Sequence, residues 1–243
     1  MKKALILSIA FIMLFSQTAF ADTSYSDVSK DDWYYDTVME LTEKEIFKGY
    51  KDGTFKPDAK ISRGEFLALV VRIIAGEREP INDYWYSGYI KYAEDMEIIP
   101  ELLYSVEIAD EVISRKEMAE MCEKAIDKVL NLEMPESDIV VKAAETIADL
   151  QEVLKDRKRA DFILMAYARG LLQGDDKYNF NPNDGMTRAE AATVISRMLK
   201  LKAGEKLEVN FDKLPSIIID CTGPVEDDSL IPIPEEPVVP KSP

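Results

Sequence analysis

Three times this chain sets a hydroxyl residue before an arginine and places a glutamate three positions after the hydroxyl: Ile61-Ser62-Arg63-Gly64-Glu65, Ile113-Ser114-Arg115-Lys116-Glu117 and Met186-Thr187-Arg188-Ala189-Glu190. Each opens an apolar-periodic run. Ser62, Ser114 and Thr187 therefore read as helix N-caps, and Glu65, Glu117 and Glu190 as the residues that reach back to complete a capping box. The arginines need another reason, because a cation in the first helical turn opposes the helix dipole by about a few tenths of a kcal/mol. A guanidinium fork beside free helix N–H groups suits a carboxylate or a phosphate, which makes Arg63, Arg115 and Arg188 candidate ligand-binding residues. The alternative is that duplication copied them with the caps, or that they pair with a neighbouring acid.

The remaining chemistry is narrow. The chain has no histidine, which excludes a histidine-based triad, an imidazole base and a histidine metal ligand. Two cysteines are too few for a disulfide framework; Cys122 shares the register of Val70 and Ile195 and reads as core, while Cys221 falls in an irregular tail, free or paired with another chain. Asp175-Asp176-Lys177 sets lysine at a ligand position of an EF-hand spacing, so no metal and no cofactor is expected. Acidic residues are abundant, but they sit on predicted outer helical faces where solvation accounts for them. The chain reads as a binding protein and not as a glycosidase with paired carboxylates.

Charge restricts the partners. Thirty basic against 46 acidic residues give −16, a balance that repels nucleic acid and anionic membranes as a whole. An acidic ligand must meet locally gathered arginines.

The elements that position these residues come next. Residues 1–21 have a secretory leader's three parts: Lys2-Lys3, the apolar stretch Ala4 to Phe15, and Ala19-Phe20-Ala21 before a mature start at Asp22. Without that leader the charge is −18, since Lys2 and Lys3 leave with it. No later stretch approaches the ~20 apolar residues of a spanning helix, so no membrane partner is expected after cleavage. A shift of 52 then lays Trp33-Tyr34 on Trp85-Tyr86 and Ser62-Arg63 on Ser114-Arg115. A shift of 125 lays Gly49 on Gly174, Phe55 on Phe180, Pro57 on Pro182 and Arg63 on Arg188. One unit is written three times: residues 22–77, 78–131 and 132–201, followed by a Pro-rich acidic tail over 202–243 that reads as extended and largely disordered.

Each unit reads as helix, loop, helix. Val38, Leu41 and Ile46 or Phe47 stripe the first helix, Gly49 and Gly174 stand where left-handed C-caps are wanted, and Asp52-Gly53 and Pro57 break the chain into a loop. The second helix spans about Arg63 to Ala75. Unit two keeps both helices and loses the glycine loop. Unit three carries about 21 extra residues, with an added helix from Ser137. Trp33 and Trp85, just before a first helix, read as core plugs or as faces on which a ligand ring stacks; Gly49 and Gly174 read as caps or as points of close backbone approach to a ligand.

Across Tyr25 to Leu201 these motifs resemble the S-layer homology family: Tyr25-Ser26-Asp27-Val28, Trp33, the run from Gly49 to Pro57 and the Ser/Thr-Arg-x-Glu element stand in family order, and unit two departs from it. The resemblance implies an all-α, pseudo-threefold assembly with one helix from each repeat in a central bundle. It also implies noncovalent anchoring at the bacterial cell surface, through secondary cell-wall polysaccharide bound in grooves between repeats, often by a pyruvate ketal meeting the motif arginine. A protein scaffold without carbohydrate affinity is the alternative. About 40 residues follow the last unit, and Ser216-Ile217-Ile218-Ile219 within them has the character of an added strand for another exported protein.

Overall fold

The structure, a computed structural model, describes residues 25–101, 105–209 and 211. The leader, Cys221 and the segment around Ser216 lie outside the described residues. Within them the fold is all-helical: α1 (Tyr35–Glu43), α2 (Arg63–Ala75), α3 (Ser87–Asp95), α4 (Val106–Asp110), α5 (Arg115–Ala125) running on into a π-helical turn (Ile126–Leu130), α6 (Ser137–Thr146), α7 (Leu150–Lys155), α8 (Ala160–Ala168) and α9 (Arg188–Lys202). No helix among them is long and apolar enough to cross a membrane.

The central helix shows why the chain folds inward. From Phe66 to Val71 every residue of α2 is buried, as is Ile73. A helix apolar on all sides must be surrounded, and α2 packs against α3, α4, α5 and α9 while α9 also packs on α1 and α5 on α8. Buried side chains from all three units form one continuous cluster, with Cys122 fully enclosed and the chain after α9 laying Leu207, Val209 and Phe211 against it. Burial pushes the Cys122 thiol far above its ordinary pKa, so it behaves as a small core residue.

A ring of three backbone hydrogen bonds joins the units immediately before the capping motifs. Ile61 N–H donates to Met186 O (3.1 Å), Met186 N–H to Ile113 O (3.4 Å) and Ile113 N–H to Ile61 O (3.1 Å). All three side chains are buried. The helix starts are thereby fixed to one another, and with them the three arginines.

One sequence expectation is corrected here. Helix α1 ends at Glu43 with Lys44 as C-cap, and the left-handed residues that close the first helix of each unit are Glu45 (φ 55°), Glu97 (φ 56°) and Gly170 (φ 75°). Gly49 and Gly174 lie beyond these caps, and neither has positive φ. They are required for space. A Cβ on Gly49 would stand 2.1 Å from the Tyr25 ring and 2.8 Å from Thr54 O, and one on Gly174 about 3.0 Å from the backbone of Tyr178.

Candidate functional site

The hydroxyl-Arg-x-Glu elements form reciprocal bonds at their helix starts. Ser62 N–H donates to Glu65 (3.0 Å) and Glu65 N–H to Ser62 Oγ (3.3 Å); Thr187 and Glu190 repeat this at 2.7 and 3.2 Å. Glu117 accepts from both the N–H and the hydroxyl of Ser114. The next N–H groups, read as free from the sequence, are taken by loop carbonyls of the following unit. Arg115 and Lys116 N–H reach Asp184 O and Pro182 O, Arg188 and Ala189 N–H reach Ala59 O and Pro57 O, and Arg63 N–H reaches Glu111 O. The first two helical N–H groups of α5 and α9, and the first of α2, are thus already taken.

The side chains follow the same cycle. Arg115 donates through Nε to Phe180 O and through Nη2 to Gln173 O, both at 2.6 Å. Arg188 makes the matching pair, Nε to Phe55 O at 2.8 Å and Nη2 to Lys48 O at 3.2 Å. These carbonyls are available because a carboxylate holds each loop from behind: Asp27 accepts the N–H groups of Phe55 and Lys56, and Asp149 those of Phe180 and Asn181. The tetrad Ile147-Ala148-Asp149-Leu150 thus does in unit three what Tyr25-Ser26-Asp27-Val28 does in unit one, a likeness hidden in the sequence by the inserted helix α6. Among the described residues unit two shows no such loop, and α4 stands there instead. There Arg63 meets carboxylates, Glu117 at 2.9 Å and Glu111 at 2.7 Å.

The three arginines are therefore unlike in what they offer. Arg188 is 3% exposed, beneath the rings of Phe47, Tyr50 and Phe55 at 4.6 to 5.0 Å, with Glu65 3.6 Å away. Arg63 is held by two acids. Arg115 has no carboxylate within ion-pair distance among the described residues; its third edge, Nη1, faces only the Met186 thioether, a weak acceptor.

Arg115 lines a groove of about 240 Å³ together with Trp33, Gln173, Gly174, Glu190 and Arg197. Trp33 comes from unit one, Arg115 from unit two and the rest from unit three. Arg197, missed as a site residue in the sequence although it repeats Arg72, donates to Leu171 O and likewise lacks a carboxylate partner. Its pKa is lowered, by burial first and then by repulsion from Arg115; burial also lowers that of Arg115. Two partly desolvated cations in one groove favour an incoming anion. Trp33 is 67% and Trp85 47% exposed, so the core-plug reading does not hold for either indole. Trp85 stands at the start of α3 with its ring edge-on to Tyr86 and Tyr89, apart from the Arg115 groove.

Residues 24–67 and 155–192 match the family model of the S-layer homology domain. Two stretches of this chain are S-layer homology domains. Relatives that share them include an endoglucanase of Bacillus sp. strain KSM-635, 27% identical over 81% of this chain and 22% of that protein. A cellulosome-anchoring protein of Acetivibrio thermocellus is 24% identical over 64% of this chain and 35% of its own length. A surface layer protein of Brevibacillus choshinensis is 29% identical over 32% of this chain and 7% of its own length. The chain thus spans a minor part of these relatives. The S-layer homology domain is a non-catalytic anchoring domain, and the relatives that match this chain include proteins of the surface layer and cell wall.

Proposed function

We propose that this protein is exported and attaches noncovalently to the bacterial cell wall by binding an acidic secondary polysaccharide, with the groove of Trp33, Arg115, Gly174 and Arg197 as its principal site. The observation that supports this reading is a pair of guanidiniums without carboxylate partners among the described residues, beside an exposed indole on a chain of net charge −16. A pyruvate ketal on a terminal sugar supplies a carboxylate for Arg115 and Arg197 and a pyranose face for Trp33. Gly174 lets the sugar approach the backbone. Arg63 and Arg188 act chiefly as stitches between units, and Trp85 presents a second stacking face.

Sedimentation with purified walls tests the proposal. Binding is expected to vanish when the secondary polymer is stripped from the walls and to weaken in Arg115→Gln. Undiminished retention on stripped walls overturns the carbohydrate reading in favour of a protein receptor.

A further inference from the structure

The groove of unit two repeats that of unit three one step round the ring, with its chemistry reversed. Arg63 stands for Arg115, Ile99 and Pro100 for Leu172 and Gln173, Glu117 for Glu190 and Met121 for Val194, around a cavity of about 270 Å³. Lys158 lies where the 125-residue shift places Trp33, and Glu101 where the 52-residue shift places Gly49. The two arginines here are matched from within. Arg63 Nη1 holds Glu111 at 2.7 Å and its Nε holds Glu117 at 2.9 Å, while Glu120, in the register of Thr193, takes Lys124 and Arg159. The cause is local. Helix α4 stands where units one and three carry their glycine loop, and among the described residues it offers the Arg63 guanidinium a carbonyl at Ile108, 3.4 Å from Nη1, beside the two acids.

Resting on the reading that Arg115 binds an acidic sugar, we infer that Glu111 is a built-in carboxylate ligand of Arg63. It stands in for the sugar's acid and keeps the second groove closed to it, so that the acidic-sugar site beside Arg115 is open while its counterpart beside Arg63 is not. The Glu111 side chain is 64% exposed while that of Arg63 is 16% exposed. The acid therefore reaches in from solvent, the direction a ligand takes, and its removal leaves no hole in the core. The ion pair is intramolecular, so its effective concentration exceeds that of any free sugar in the millimolar range.

Arginine Nε–H signals in NMR, read while titrating the full chain with a methyl hexopyranoside bearing a 4,6-pyruvate ketal, separate the possibilities. The native chain is expected to shift Arg115 and leave Arg63 still; Glu111→Ala is expected to bring Arg63 into response, with affinity at that residue raised about tenfold or more, the scale of one charge-assisted hydrogen bond. Glu111→Gln, isosteric and uncharged, serves if the alanine variant loses its native amide spectrum, and is expected to respond in the same direction. Response of Arg63 in the native chain, or silence of Arg63 in the folded variants, overturns the inference. Silence of Arg115 with response of Arg63 in the variant retains the lock and removes the groove assignment instead.

Discussion

At the residue scale, accessibility sorts groups that look equivalent in the sequence. Trp33 is exposed and contributes little to the core, so Trp33→Ala is expected to lower affinity for purified wall polymer by roughly tenfold, the worth of one aromatic face, and to leave the melting temperature unchanged; calorimetric titration reads the first and thermal denaturation the second. Arg188 behaves oppositely. Its removal strands Phe55 O and Lys48 O beneath three aromatic rings, and Arg188→Ala is expected to cost about 2–4 kcal/mol in urea unfolding, with Arg188→Lys giving partial recovery because an ammonium cannot span both carbonyls. Glu123 supplies a pH signature. Its Oε2 accepts from Arg169 at 3.0 Å, but its Oε1 is buried without a partner, and burial raises its pKa to about 7 against the pull of Arg169. The folded state then binds a proton that the unfolded state has released, so stability falls as pH rises from about 4.5 to about 7 and levels off above. Below that window the sign reverses, because Glu117 and Glu120, whose paired carboxylates are lowered, lose their contribution on protonation. Glu123→Gln is expected to flatten the upper slope, as measured by urea midpoints between pH 5 and pH 8; an unchanged slope assigns it elsewhere.

At the scale of elements, what was legible in the sequence was whatever is written within one helix. The capping residues and the bounds of α2 follow from local patterning, since Ser62 to Ile73 carries its own start signal and apolar face. Relations between units were harder to read. Nothing in Arg115 announces that its partners are the carbonyls of Gln173 and Phe180, because backbone acceptors leave no compositional trace. The core-plug alternative for Trp33 and Trp85 fails for a related reason: an indole before a helix faces inward only if the next layer is there to receive it, and here both indoles are exposed. Gly49 was assigned to a helix end that Glu45 takes in a left-handed conformation, although its true constraint is Tyr25, 24 residues away, whose hydroxyl accepts the Gly49 N–H at 3.0 Å. Gly49→Ala is expected to destabilise the fold by about 1–3 kcal/mol, and in the amide spectrum to perturb the loop around Thr54 rather than α1.

At the scale of the whole molecule, the three hydrogen bonds of the ring and the arginines that follow them tie unit one to two, two to three and three back to one. A linear repeat array frays from its ends, since each unit touches only its neighbours. Here contacts such as Arg188 to Lys48 O join residues 140 apart in sequence, and α1 lies against α9. A single calorimetric transition with equal van't Hoff and calorimetric enthalpies is therefore expected for the described units, and a separate early transition for the α6 region would show it to be an independent appendage.

The same closure limits how this architecture can grow. Solenoids lengthen by inserting copies, because every copy leaves a docking face for the next; in a cycle whose last member already grips its first, a fourth copy finds both seams occupied. Evolution can decorate such a body by threading extra helix between seams, as α6 is threaded before Asp149, or by appending sequence beyond α9, but it cannot raise the number of grooves without breaking the circle.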